Sequence, residues 1–195
     1  MESNEIQQQI LKAAECRFNV YGYQKTTMAE VAGDCAMSAA NLYRYFDNKL
    51  AIGAALATQC LAEDEALLEQ IVHDNNLSSS EKLIAFTMKQ LHYTYDYFES
   101  APKLAELVEV VTTQMPDVIE THRHHKLLLL EKLLIEGQQL GEFVFDDLMD
   151  VRDAVHSATV LFYFPLTMPL FSLAILEEKA TRVCQLLLRG LKPVS

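Results

Sequence analysis

The chain has 195 residues, half of them apolar, with six glycines, five prolines and a formal charge of −11. That length fits one domain or a small domain joined to a larger one, and a composition rich in Ala, Leu, Glu, Gln and Lys favours an all-α fold. The acidic balance excludes nucleic-acid binding over the whole surface and leaves it only to a local patch.

The N-terminal stretch MESNEIQQQI is polar and acidic and is not read as a signal peptide. Asn4 opens a helical pattern in which Ile6, Ile10, Leu11, Ala14, Phe18 and Tyr21 share one face, and Gly22 ends it as a C-cap. Thr27 with Glu30 forms a capping box that starts a second helix. Ser38 offers a new N-cap after about two turns, so the second helix is short. The third is expected to reach about Phe46, and Asp47 to cap a fourth that runs to about His73.

HDNNLSSSEK, residues 73–82, is the clearest loop, and Ser78 with Glu81 repeats the capping box before a fifth helix, Glu81 to Glu99. Pro102 and Pro116 each end one segment and open the next, the second before a long helix to about Gln139. Leu127 to Leu130 is apolar all round, so that helix is expected to be enclosed on several sides. GEFVF, residues 141–145, is a short extended connection with a scrap of strand at Phe143–Phe145. An eighth helix runs from Asp146 or Asp147 to near Pro165, and a ninth from about Phe171 to Arg189.

Residues 158–176, ATVLFYFPLTMPLFSLAIL, carry no charge and are long enough to cross a bilayer. Pro165 and Pro169 argue against one continuous helix, and basic anchors are absent on both flanks. The stretch is read as the end of one buried helix, a turn and the start of another. Cys16, Cys35, Cys60 and Cys184 have no CxxC spacing, which argues against a zinc knuckle or a thioredoxin-like motif and suits a reducing cytosol. Walker A, GxGxxG, GxSxG and HExxH motifs are all missing from the sequence, so no enzyme is expected.

Three short helices with a tight second connection describe a helix-turn-helix unit. Phe18, Met28, Val31, Ala32, Met37, Leu42 and Phe46 have the spacing of its small core. Ser38, Ala39, Ala40, Asn41 and Tyr43 would give the third helix a narrow hydrogen-bonding face for a major groove. Thr27 and Lys49 would grip the backbone on either side, with the Tyr45 phenol beside them. Residues 1–50 hold five basic and six acidic side chains, so nearly all the negative charge lies beyond them.

At this point the chain resembles a known family. ILKAAECRFNVYGYQKTTMAEVAGDCAMSAANLYRYFDNK is similar to the DNA-binding domain of the TetR family of bacterial transcriptional regulators. The shared features are Ala14, Phe18, Gly22, Thr26–Thr27, Val31–Ala32, Ser38, NLYRYF from Asn41 to Phe46, and Lys49. Two departures stand out. The family often has Gly where Ala36 stands, so this turn is expected to tolerate a Cβ. It often has a basic residue and Gly where Ala39 and Ala40 stand, which leaves direct readout to Asn41, Tyr43 and Arg44.

The resemblance implies a DNA-reading head over 1–47 and a ligand-binding, dimerising body over 48–195. It implies a cytoplasmic repressor without a cofactor that binds a palindromic operator as a homodimer. The dimer is expected to pair its eighth and ninth helices, Asp147 to Phe164 and Phe171 to Arg189, with Val155 and Leu187 as candidate interface residues. The fourth helix would act as the lever. A hydrophobic or aromatic effector would sit among the fifth, seventh and eighth helices, against Met88, His92, Tyr93, Leu129 and Phe162.

The competing reading is a helical-bundle ligand or metal carrier with a degenerate head. His122 and His125, with His124 between them, have metal-ligand spacing on one helix face. A polar first half of a long helix explains them equally directly, and no carboxylate or Cys completes a set in the sequence, so no metal site is assigned.

Overall fold

The computed structural model describes residues 2–193. Its helices are α1 Glu2–Tyr21, α2 Met28–Asp34, α3 Ala39–Leu42, α4 Lys49–Val72, α5 Ser79–Ser100, α6 Ala105–Gln114, α7 Pro116–Gln139, α8 Leu148–Thr159 and α9 Leu173–Leu191. Short 3-10 turns lie at Pro102–Leu104, Val160–Phe162 and Pro165–Leu170. The chain forms two compact units. Residues up to Ala62 join Phe98–Glu120 in the first, and Glu63–Tyr97 join residues from Thr121 onward in the second. Helices α4, α5 and α7 each contribute residues to both.

The first unit is built around α1. Ile10, Leu11, Ala14 and Phe18 form its buried stripe and meet Val31, Ala32 and Leu42 from the next two helices. The Phe18 and Tyr23 rings meet edge to face, 5.2 Å between centres. Gly22 turns the chain with φ +90°, and a Cβ there would lie 2.9 Å from the Glu106 carboxylate of α6. That carboxylate accepts the Gln24 amide N–H at 3.0 Å, so α6 fixes the α1–α2 turn.

The second unit has one continuous apolar core. Leu68 and Val72 of α4, Leu83 and Phe86 of α5, and Leu129, Leu130, Leu133 and Leu134 of α7 pack with Phe143, Val155, Leu188 and Leu191. At Gly137 of α7 a Cβ would stand 2.1 Å from the Phe143 ring, so the glycine is what lets that ring seat against the helix. The Ser78–Glu81 capping box forms, and the Glu142 carboxylate accepts the Ser79 and Ser80 N–H groups at 3.1 and 3.2 Å. Inside the unit the Lys82 ammonium is buried against both Glu136 carboxylate oxygens, each at 2.7 Å.

Several boundaries differ from the sequence reading. Helix α3 ends at Leu42, because Tyr45 N–H folds back to the Leu42 carbonyl at 2.9 Å and tightens the chain. Asn48, not Asp47, caps α4: its Oδ1 accepts the Ala51 N–H at 2.8 Å. Helix α8 stops at Thr159, and the proline-bearing stretch turns in 3-10 form. No strand forms among the described residues. At Phe143–Phe145 the one ladder-like bond is Val144 N–H to the Leu191 carbonyl, 2.7 Å. Leu128 is exposed while Leu127, Leu129 and Leu130 are buried, so α7 is not enclosed all round there. Val155 is a core residue, so Val155→Asp would disrupt this core whether or not a dimer forms, while Leu187 is only partly buried where it packs against that core. No described helix is long and apolar enough to cross a membrane.

Candidate functional site

The head places most of the expected DNA-contacting residues on one accessible surface. Ser38 caps α3 by accepting the Asn41 N–H at 3.2 Å. Leu42 is buried and anchors the short helix, which leaves Ser38, Ala40, Tyr43 and Arg44 exposed and Ala39, Asn41 and Tyr45 half-exposed. Thr27 is exposed, but its hydroxyl is tied into its box: it donates to Glu30 at 2.8 Å and accepts the Glu30 N–H at 3.3 Å. Those bonds hold the Glu30 carboxyl below the ordinary carboxylate range.

The α2–α3 turn keeps its geometry without glycine. Ala36 adopts φ +53°, the left-handed region, where a Cβ is strained. The turn accepts that strain because Ala36 N–H reaches the Gly33 carbonyl and Met37 N–H the Ala32 carbonyl, both at 3.0 Å.

Lys49 departs from its expected role. Its ammonium donates to the carbonyls of Tyr23 at 2.7 Å, Gln24 at 3.3 Å and Thr26 at 2.9 Å, and lies over the Tyr23 ring. Burial pushes its pKa down. In this arrangement Lys49 ties α4 to the α1–α2 turn instead of reaching outward. Arg17 is likewise engaged, by Asp34 and Glu30. Among the described residues Lys12, Lys25 and Arg44 are exposed cations of the head for which no ion pair forms.

The second unit holds a cavity among α5, α7 and α8, the three helices expected. Its lining includes Leu83, Phe86, Thr87 and Gln90 of α5, Lys126, Leu127 and Leu130 of α7, and Val155, His156 and Thr159 of α8, with Tyr163 beyond. The free space is about 10 Å³, on the order of one water molecule. None of Met88, His92, Tyr93, Leu129 and Phe162 lines it. Met88, His92 and Tyr93 sit one to two residues off the inward phase of α5, which is 83, 86, 87 and 90. His92 instead bonds Glu177 at 2.7 Å, and Tyr93 donates to Glu63 at 3.3 Å. Leu129 and Phe162 are buried in packing.

The missed residues were polar ones at inward positions. Thr87 and Gln90 share the phase of Leu83 and Phe86, and Lys126 begins the leucine run of α7. A polar residue inside an apolar stripe is the signal that pointed to them.

Around Lys126 lies a charged cluster joining α4 to α7. The ammonium is 3.7 Å from Asp64 and 3.7 Å from the Tyr163 ring centre. Desolvation lowers its pKa to about 8, and desolvation raises that of Asp64. His122 Nδ1 meets Glu65 at 2.7 Å, and His125 Nδ1 meets the other Glu65 oxygen at 3.0 Å. Burial, with the Lys126 charge, lowers His122 to about 4. A neutral His122 donates Nδ1–H to Glu65, so its 3.6 Å approach to Asp64 is not an ion pair. Among the described residues no group of three or more His, Cys, Asp or Glu side chains has the arrangement of a metal site.

A short helix-turn-helix head followed by a helical body with a small, mostly apolar cavity is the architecture of a DNA-binding regulator. Residues 10–56 match the model of the bacterial regulatory proteins of the tetR family, and residues 79–184 match that of the tetracyclin repressor-like C-terminal domain. The chain belongs to the TetR family of bacterial transcriptional regulators.

It is 26% identical over 165 residues to the uncharacterized HTH-type transcriptional regulator YerO of Bacillus subtilis strain 168, covering 82% of this chain and 47% of YerO. The chain thus spans about half the length of that curated relative. In fold it is similar to a protein assigned to the TetR family from Mesorhizobium loti MAFF303099, with TM-score 0.78, 18% identity, and 99% and 100% of the two chains covered. It is also similar to the regulator FadR of Bacillus subtilis in complex with stearoyl-CoA, with TM-score 0.67, 20% identity, and 94% and 98% covered.

Proposed function

We propose that this protein is a ligand-controlled transcriptional repressor that binds a palindromic operator as a homodimer in the cytoplasm. Residues 1–47 serve as the reading head, and 48–195 bind ligand and dimerise. The observation that carries the reading is the α3 surface. A helix of four residues anchored by one buried leucine leaves Ser38, Tyr43 and Arg44 exposed and Asn41 half-exposed. Such a helix fits a major groove, where Asn41 can read a base edge and Arg44 a base or phosphate.

One head contacts few base pairs, so selectivity needs two, with half-sites on the order of 34 Å apart or more. An apolar exterior supports the pairing: Phe164, Leu166, Leu170, Ile175 and Leu186 are all exposed around α8 and α9. The cavity supports control by a small molecule. It is nearly closed, so a ligand enters only a state in which α5, α7 or α8 has moved, and binding must then shift the balance of states. FadR of Bacillus subtilis, similar in fold, is in complex with stearoyl-CoA, which supports reading the body as a ligand-binding domain.

The test is fluorescence anisotropy with duplexes from the DNA flanking the protein's own gene. Tight binding to one palindrome, roughly a thousandfold or more over scrambled duplex, is expected. Asn41→Ala should change base preference as well as affinity. Equal binding to scrambled DNA, or none at all, would sink the proposal.

A further inference from the structure

The cavity that we read as the effector site has a chemical bias of its own. Lys126 brings an ammonium group to a position only 5% exposed, and the carboxylate within 4 Å of it, that of Asp64, stands at 3.7 Å. That separation is longer than a charge-assisted hydrogen bond. Gln90 is 2% exposed. Its Nε2 donates to the Phe86 carbonyl at 3.3 Å, which fixes the direction of the amide, and its Oε1 is buried with no partner. The hydroxyls of Thr87 and Thr159 already donate to Leu83 and Val155 carbonyls, at 3.1 and 2.8 Å, so neither has a proton to spare for Gln90 Oε1. The lining thus presents one cation, one unpartnered acceptor and the His156–Tyr163 pair, joined at 2.7 Å, against walls of Leu, Phe and Val.

We infer that the effector is a small hydroxy acid, whose carboxylate takes the Lys126 ammonium and whose hydroxyl donates to Gln90 Oε1, with its apolar body against Leu83, Phe86 and Leu130. This rests on the cavity being the effector site. Each alternative class leaves something unmet. An amine would face the Lys126 charge. A hydrocarbon would leave Gln90 Oε1 without a donor, the costly condition for a buried acceptor. A diol would serve Gln90 but leave Lys126 with only the Asp64 carboxylate at 3.7 Å and the face of the Tyr163 ring. The carboxylate also competes with Asp64, and Asp64 lies on α4, so the anion alters what holds α4 to α7.

Calorimetry on the full chain tests the inference with matched probes: 3-hydroxyoctanoate, octanoate, 1,3-octanediol and octylamine, and a second series with a phenyl body. The hydroxy acid should bind about ten- to a hundredfold more tightly than the diol or the amine, and about fivefold more tightly than the plain acid. Gln90→Leu should erase the preference for the hydroxyl and keep that for the acid. Lys126→Met should erase the preference for the acid. Asp64→Asn combined with Lys126→Met removes both buried charges, and it serves if the single variant fails to fold. Equal affinity for acid, diol and amine, or no binding of either series at millimolar concentration, overturns the inference. DNA affinity of the ligand-free protein is measured alongside. Failure there strikes the regulator reading and not the ligand class, which calorimetry answers separately.

Discussion

The Lys49 ammonium lies 2.7 Å from the Tyr23 carbonyl oxygen and 4.3 Å from the centre of the same residue's ring. Its other hydrogen bonds run to Gln24 and Thr26, so a single side chain closes the connection on which α2 is hung. Lys49→Ala removes these bonds and leaves the carbonyls of a tight turn without a donor. A loss of about 2 kcal/mol is expected, read as a fall of roughly 5 °C in melting temperature. DNA affinity should drop with stability while the slope of log affinity against log salt keeps its value, since no phosphate contact is lost. A slope reduced by about one would return Lys49 to the DNA backbone.

Ala36 holds φ +53°, so Ala36→Gly removes a steric penalty that the native turn carries. The gain should be about 1 kcal/mol in urea unfolding, less whatever the added freedom of the unfolded chain takes back. The DNA-facing side chains are untouched, so operator affinity should stay within twofold. Destabilisation would mean that the turn is not left-handed in solution.

Leu186 and Leu170 are 69% and 68% exposed, and each can be changed without opening the core. If the α8–α9 exterior is the dimer surface, Leu186→Asp or Leu170→Asp buries a charge there. Sedimentation should show folded monomers at micromolar concentration with helicity unchanged. Two variants that remain dimeric would move the interface elsewhere. Val155→Asp is not a substitute test, because that residue lies in the subunit's own core.

His122 titrates at about 4 in the folded protein, against 6.5 ordinarily, chiefly because it is buried. The unfolded chain therefore takes up this proton first as pH falls. Above pH 6.5 the contribution is fully present, and it is lost as pH falls from 6.5 toward 4. The charges facing the ring are Glu65, Asp64, Lys126 and His125. Asp64, with its raised pKa, opposes the trend by protonating in the folded state. Unfolding curves of the parent and His122→Gln between pH 4.5 and 7.5 isolate the ring. The parent should lose on the order of 2–3 kcal/mol more than the variant over that window. Parallel pH profiles would show that His122 is not held neutral.

Local chemistry was legible in the chain. Thr27 with Glu30, Ser78 with Glu81, Ser38 and Gly22 all act where their spacing placed them, since a cap or a left-handed turn involves only residues a few positions apart. The helix-turn-helix surface followed for the same reason. The helices expected around the cavity, α5, α7 and α8, are the ones that line it, but that choice came with the family resemblance and not from composition, since α4 and α6 are more apolar. The lining was not legible. Aromatic content drew attention to His92 and Tyr93, whereas the inward face is set by how α5 rolls against α7.

By itself, the sequence determined an all-α chain, its caps and turns, and a reading head of TetR type, because these depend on period and neighbours. Tertiary structure alone decided that Lys49 faces inward, that Val155 belongs to the core and that Lys126 is buried beside Asp64. Lys49 lies 26 residues from Tyr23, and Lys126 is on a different helix from Asp64. A long flexible cation looks the same in a sequence whether it ends in solvent, on a phosphate or against a carbonyl. Only the packing of distant elements sets the desolvation and the partners that choose among them.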